Sequence, residues 1–332
     1  MSSYTDSYTG ANVLITGGLG FIGANLAHRL VALGAHVTLV DSLIPSYGGN
    51  LRNIAGIEDR VRVNIADVRD QHSMSYLVQG QHFLFNLAGQ TAHLDSMKDP
   101  YTDLDINCRA QLSILEACRS NNPDIKIVYA STRQIYGKPD YLPVDERHIL
   151  RPVDVNGINK MAGEWYHILY NNVYGIRACA LRLTNTIGPR MRVKDARQTF
   201  LGIWIKKLLD QEPIQVFGDG TQIRDFNDAE DVVEALLLAA ALPAADGQIF
   251  NLGGDETISL RDLAALLVDI NGAGHYELVP FPNERKAIDI GDYYADYRLI
   301  QGRLGWRPRV PLRESLRRTL EFYRAEHAHY WK

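Results

Sequence analysis

The sequence predicts a doubly wound parallel α/β sheet with a smaller C-terminal domain, on three observations. Short β-favouring runs alternate with helical runs over the first half of the chain, and a glycine-rich turn joins the first strand to the first helix. The 332 residues also exceed what one hydrophobic core usually serves.

In chain order, VLIT (13–16) is short and β-favouring, GGLGFIG (17–23) is a turn, and ANLAHRLVALG (24–34) has helical apolar spacing that ends at Gly34. HVTLVD (36–41) supplies a second strand, RVRVNIAD (60–67) a third and HFLFNLAG (82–89) a fourth. A helix is expected over roughly Thr102 to Ser120, then the strand IKIVYAST (125–132), a helix over about Asn159 to Asn171, and the strand RACALRLT (177–184). Strands and helices in this alternation call for right-handed crossovers and parallel pairing.

After Gly188, Pro189 and Arg190 the alternation weakens, and proline and glycine punctuate shorter segments such as EPIQVFGDGTQIRDF. The helix DAEDVVEALLLAAAL and the strand QIFNLGG read as a return to the first domain. The expected division is therefore discontinuous: residues 1–188 plus about 228–255 in one domain, 189–227 and 256–332 in the other.

A formal net charge of −4 gives no electrostatic reason to expect nucleic acid or an acidic membrane as partner. The three cysteines, Cys108, Cys118 and Cys179, lack CxxC spacing, so no disulfide framework or zinc site is indicated and no metal is expected. No apolar run reaches membrane-span length, and MSSYTDSYTG lacks the layout of a signal peptide, so a cytoplasmic location is expected.

Glycines at the spacing of Gly17, Gly20 and Gly23 also occur in ordinary turns; the context decides. Here they lie between a strand and a helix at the start of a βαβ unit, where turn N–H groups and the helix N-terminus can hold a pyrophosphate. Gly17 permits the tight turn, Gly20 lets phosphate approach, and Gly23 lets the helix pack closely. Asp41, at the end of the second strand, is placed to accept hydrogen bonds from ribose hydroxyls and to repel the extra phosphate of NADP, which favours NAD in a Rossmann-type domain. Phe21, Ile22, Asp67, Val68, Leu87, Ala88, Gly89 and Asn107 complete the expected cofactor-binding set.

Together TGGLGFIG, NLAGQ, YASTRQIYG, the helix carrying Lys160, LRLTNTIGPR, VFGDGTQIRDF and LGWRP, in this order, resemble the extended short-chain dehydrogenase/reductases, in particular the nucleotide-sugar epimerases and dehydratases of the UDP-glucose 4-epimerase kind. The resemblance implies that Thr132 donates a hydrogen bond to the sugar oxygen being oxidised. It also implies that Lys160 binds the nicotinamide ribose and lowers the pKa of a tyrosine four residues earlier, whose phenolate takes the proton. At that position stands Asn156. An amide does not titrate near neutral pH and cannot serve as a general base. Tyr136, His93 and Asp95 are the candidate replacements, and Asn156 is left with orienting a hydroxyl or a water.

For the substrate, the resemblance points to Gln90, Thr132, Asn185, Arg224 and Arg285, with Lys286 competing with Arg285 for one cationic role. A nucleoside-diphosphate sugar, a UDP-sugar foremost, is the implied partner, and a homodimer the implied assembly. The expected reaction is epimerisation by transient oxidation of the sugar. A 4,6-dehydratase is the alternative, although Arg133 and Gln134 stand where that branch carries its acid pair after the threonine. A non-catalytic protein that binds NAD and a nucleotide-sugar is the other.

Overall fold

The computed structural model describes residues 4–44, 46–195 and 199–331. The ends of the two expected domains, residues 1–3 and Lys332, lie outside these. The first half builds β1 (Asn12–Thr16), α1 (Phe21–Ala32), β2 (His36–Asp41), β3 (Val61–Ile65), α2 (Gln71–Leu77), β4 (Phe83–Asn86), α3 (His93–Lys98), α4 (Pro100–Leu104), α5 (Ala110–Asn121), β5 (Lys126–Thr132), α6 (Val155–Tyr174) and β6 (Ala178–Leu183). With β10 (Ile249–Asn251), the seven strands of the main sheet run in the order β10-β6-β5-β4-β1-β2-β3, every pair parallel.

This order fixes where a ligand can sit. The chain winds outward from β1 to β3, then crosses back to place β4 on the other side of β1, and the crevice at such a reversal opens beyond the carboxyl ends of the strands. Thr16 holds the crevice floor together: its hydroxyl donates to Asn86 Oδ1 at 2.9 Å and accepts the N–H groups of Leu87 and Ala88 at 3.1 and 3.2 Å.

Each sheet face buries its own apolar layer. Leu26, Leu30, Leu236 and Trp306 pack with Val13, Ile15 and Leu39 on one side, and Met74, Ile114, Leu115 and Tyr170 pack with Leu14, Leu84 and Ile127 on the other. Two helices differ from expectation, and both border the crevice. The helix expected from Thr102 is built from α4 and α5 joined by a π-helical stretch, Asp105–Arg109. The helix expected from about Asn159 begins at Val155, because the Asp154 carboxylate accepts the Gly157 N–H at 2.7 Å and caps it one turn earlier.

The remaining residues form a three-stranded sheet of β7 (Asn185–Ile187), β9 (Ile223–Asp228) and β11 (Thr257–Ser259), and a pair of β8 (Ile214–Phe217) with β12 (Tyr276–Val279). A separate apolar cluster that includes Trp204, Ile205, Val216, Leu263 and Leu316 lies beneath them. Among the described residues, no helix is long and apolar enough to cross a membrane, and no group of three or more His, Cys, Asp or Glu is arranged to hold a metal ion.

Candidate active site

A cavity of about 580 Å³ runs along the carboxyl ends of the strands and under the second sheet, within the range of ordinary small-molecule sites. Its first end is made of backbone. Gly17 has φ +67°, and a Cβ at Gly23 would stand 2.2 Å from the Gly17 carbonyl oxygen, so only glycine lets α1 start this close to the turn. Gly20 precedes α1 without any side-chain cap, which leaves first-turn N–H groups directed at the cavity. Asp41 stands on the same wall, its oxygens accepting the N–H groups of Leu19 at 3.1 Å and Leu43 at 2.9 Å, and burial raises its pKa. These groups fit a dinucleotide: N–H donors for the phosphates and a fixed carboxylate for a ribose. Asp67 also lines the wall, but Arg69 grips its carboxylate at 2.6 and 3.0 Å and lowers its pKa.

Phe21, Ile22, Val68, Leu87, Ala88 and Gly89 line the cavity as well. Asn107 does not. It is wholly buried behind the wall, where its amide donates to the Gln90 carbonyl at 2.9 Å and to Asp103 Oδ2 at 3.0 Å. Gln90 is likewise off the wall, its side chain turned to the Ala92 carbonyl at 2.9 Å.

At the middle of the cavity stand Thr132, Asn156 and Lys160. The Thr132 oxygen accepts the Gln134 N–H at 3.2 Å, which leaves its own hydrogen free to donate. Lys160 Nζ donates to the Ala130 carbonyl at 3.1 Å and lies 5.0 Å from the centre of the Tyr129 ring. Burial pushes its pKa down to about 8, against a raising pull from Asp103. Asn156 is held from three directions: its amide donates to the Gln90 carbonyl at 2.7 Å and to Asp103 Oδ2 at 3.1 Å, and its N–H donates to Ser96 Oγ at 3.2 Å. With Asn159 on Asp103 Oδ1 at 2.8 Å and Asn107 on Oδ2, three asparagine amides surround one buried carboxylate.

The replacement bases separate cleanly. Tyr136 is fully buried off the wall, donating to Asn251 Oδ1 at 2.7 Å and accepting from Arg182, and burial raises its pKa. His93 and Asp95 both line the cavity.

The far end carries Asn185, Arg224 and Arg285; Lys286 is off the wall. Asn185 already donates to the Asp225 carbonyl at 3.1 Å and accepts from Arg133 at 3.1 Å. Arg224 donates to the Ile223 and Gly291 carbonyls and lies 3.7 Å from Asp289, not paired with Asp225 or Asp228, and burial lowers its pKa to about 10. Arg285 lies over the Phe217 ring.

Three residues were not singled out for a site role by sequence reasoning. Arg133 lines the cavity, its guanidinium 5.2 Å from the Tyr293 ring centre, with Nη1 buried and lacking a hydrogen-bond partner. Asp103 organises the asparagines. Asp154 had a readable signal, an aspartate just ahead of a helical run, but nothing in the sequence tied it to His93.

Residues 13–253 match the family described as the NAD dependent epimerase/dehydratase family. A UDP-glucose 4-epimerase of Mycolicibacterium smegmatis is 31% identical over 316 residues, covering 94% of this chain and 98% of the relative. The solved UDP-glucose 4-epimerase of Thermotoga maritima with UDP-glucose superposes with a TM-score of 0.86 at 29% identity, over 95% of this chain and 99% of that one. A dTDP-glucose 4,6-dehydratase of Streptomyces venezuelae with NAD bound gives 0.87 at 25% identity, over 96% and 98%.

Proposed function

The chain belongs to the NAD dependent epimerase/dehydratase family, with NAD as cofactor, and from that premise we propose that it is a nucleotide-sugar epimerase acting on a UDP-sugar. The observation that carries this reading is the single cavity wall shared by the glycine turn, Thr132 and Lys160, with Arg133 beside them and Arg224 and Arg285 beyond. When bound, NAD supplies reversible hydride acceptance at one sugar carbon. The chain supplies the rest. Thr132 donates its free hydrogen to the reacting sugar oxygen and stabilises it as charge develops there. The Lys160 ammonium, held by the Ala130 carbonyl, adds positive charge beside that oxygen and holds the nicotinamide ribose. Asn185, Arg224 and Arg285 hold the diphosphate and nucleoside.

Epimerisation is favoured over 4,6-elimination by the two residues after Thr132. Elimination of water needs an acid beside the sugar, whereas Arg133 is a cation and the Gln134 amide donates to Asp154 Oδ2 at 2.8 Å. A homodimer is part of the same reading; the exposed apolar residues Ile158, Trp165 and Leu169 of α6, with Tyr101 and Leu104, support it.

The test is incubation of the NAD-loaded protein with UDP-, dTDP-, GDP- and CDP-hexoses, read by proton NMR of the sugar. Interconversion of two epimers of one nucleotide-sugar is expected. Binding of NAD and a nucleotide-sugar with no conversion of any of them would leave a non-catalytic binding protein.

A further inference from the structure

Asn156 cannot take a proton, and the structure fixes its side chain in place. Its amide hydrogens are committed to the Gln90 carbonyl and Asp103, and the residue is almost wholly buried. A base must therefore come from another element that reaches the same stretch of wall. We propose that His93, oriented by Asp154, takes the proton of the reacting sugar hydroxyl in this cavity. The proposal rests on the epimerase reading above.

The geometry has four parts. First, His93 begins α3, which packs on α6, and the Asn156 N–H reaches Ser96 one turn further along α3, so the imidazole lies beside the first turn of α6. Second, His93 Nδ1 is 2.9 Å from Asp154 Oδ2, at ion-pair distance although off line for a hydrogen bond in this arrangement, and it has no other partner. Third, the Asp154 side chain is fully buried while the imidazole is 38% exposed, so the pair points outward from α6 with the ring on the cavity wall. Fourth, among the described residues nothing bonds His93 Nε2.

Asp154 is held as a carboxylate. Burial pushes its pKa up, but the His93 ring, the Gly157 N–H and the Gln134 amide more than offset this, and the net shift is downward. An ionised carboxylate at Nδ1 fixes the proton on that nitrogen and leaves the Nε2 lone pair toward the cavity. Asp95 and Lys98 of α3 face the same cavity, as does Lys160, and Asp103 lies behind Asn156.

The step balances without any further reagent. The sugar O–H proton passes to Nε2 as the C–H hydride of the same carbon is accepted by NAD, giving a C=O group. Return of the hydride to the opposite face and of the proton from Nε2 restores C–OH. Asp154 only positions the ring and offsets its positive charge, and Thr132 donates to the oxygen throughout.

Two measurements test this, after NAD content and UDP affinity have been matched across variants. Nitrogen-15 NMR of the neutral imidazole in the NAD-loaded protein should find the proton of His93 on Nδ1, and Asp154→Asn should weaken that preference. A proton on Nε2 in the wild type would overturn the assignment. His93→Gln should lower kcat about 100-fold or more with KM changed less than about threefold, the scale of a lost general base, and free imidazole should return part of the rate to His93→Ala. A His93→Gln enzyme within about threefold of wild type, or one in which only Lys160 substitutions stop turnover, sinks the proposal while leaving the epimerase reading intact. A wild type that binds but converts no nucleotide-sugar removes both.

Discussion

The two ends of the cavity are made of different material. At the dinucleotide end the shape comes from backbone, with the Asp41 carboxylate beside it: a turn at Gly17, the first N–H groups of α1, and a helix that approaches because Gly23 has no Cβ. At the reacting end they come from side chains on four separate segments, with His93 on α3, Asp103 on α4, Thr132 on β5 and Asp154, Asn156 and Lys160 at the start of α6. A backbone site is tied to one spacing and cannot move without losing its shape. A side-chain site can keep its chemistry while the group that does the work shifts to a neighbouring element.

The sharpest way to break this contrast is at Gly23. Gly23→Ala places a methyl carbon 2.2 Å from the Gly17 oxygen and 2.9 Å from Gly18 Cα, contacts that only backbone movement can relieve. NAD affinity should fall beyond about 100-fold, equal to about 2.7 kcal/mol, measured by titration of protein shown by circular dichroism to be folded. Unchanged affinity would mean that the phosphates are not held by this turn.

That end was also the most legible from sequence. Strand, glycine turn, helix and Asp41 all follow local rules, and the residues assigned there, Asn107 excepted, line the cavity. Asn107 stands behind the wall, since position in the chain says nothing of depth: from the π-helical stretch its amide reaches Asp103, with its oxygen against Gly89. Gln90 is also off the wall, and its carbonyl, not its side chain, is the group the asparagines use. The reacting end was legible in Thr132, Asn156, Lys160 and the candidate bases His93 and Asp95, but not in the roles of Asp103 or Asp154. The partnership of His93 with Asp154 spans 61 residues and depends on how α3 docks on α6, which no periodicity reports.

Asn156→Tyr sharpens the same contrast. The family pattern alone expects the tyrosine to raise turnover. The packing expects loss, because the phenol must displace an amide bonded to Asp103 and the Gln90 carbonyl at a nearly fully buried position. Overpacking and the loss of one of the three amides that hold the Asp103 carboxylate together should lower stability by about 3 kcal/mol, read from urea denaturation, without a gain in kcat. A faster, equally stable variant would show that the tyrosine geometry still exists in full.

The reacting end should also respond to pH, through Lys160. Its pKa is about 8 in the folded protein against 10.5 when free, so the unfolded chain binds the extra proton between those values. Stability contributed by this group is therefore fully present above about pH 10.5 and is lost as pH falls through about 8. Relative to Lys160→Met, the wild type without NAD should gain roughly 2 to 3 kcal/mol across that window, other titrations cancelling in the difference. A flat difference would mean that water reaches the ammonium.

The smallest expected effect concerns the residue that links the reacting end to the diphosphate end. Arg133 gives one nitrogen to Asn185 Oδ1 at 3.1 Å, but Nη1 is buried with no acceptor, and burial lowers its pKa. A buried guanidinium N–H without a partner is costly, and Arg133 lines the cavity where the sugar is proposed to lie; a sugar or phosphate oxygen that reached Nη1 would supply the missing acceptor. Such a contact exists equally in the ground state and the transition state. Arg133→Met keeps the length and the packing on Tyr293 but removes the donors, so KM should rise about tenfold with kcat nearly unchanged. A fall in kcat instead, with KM constant, would place Arg133 among the groups that act on the reacting carbon and move the boundary between the two ends.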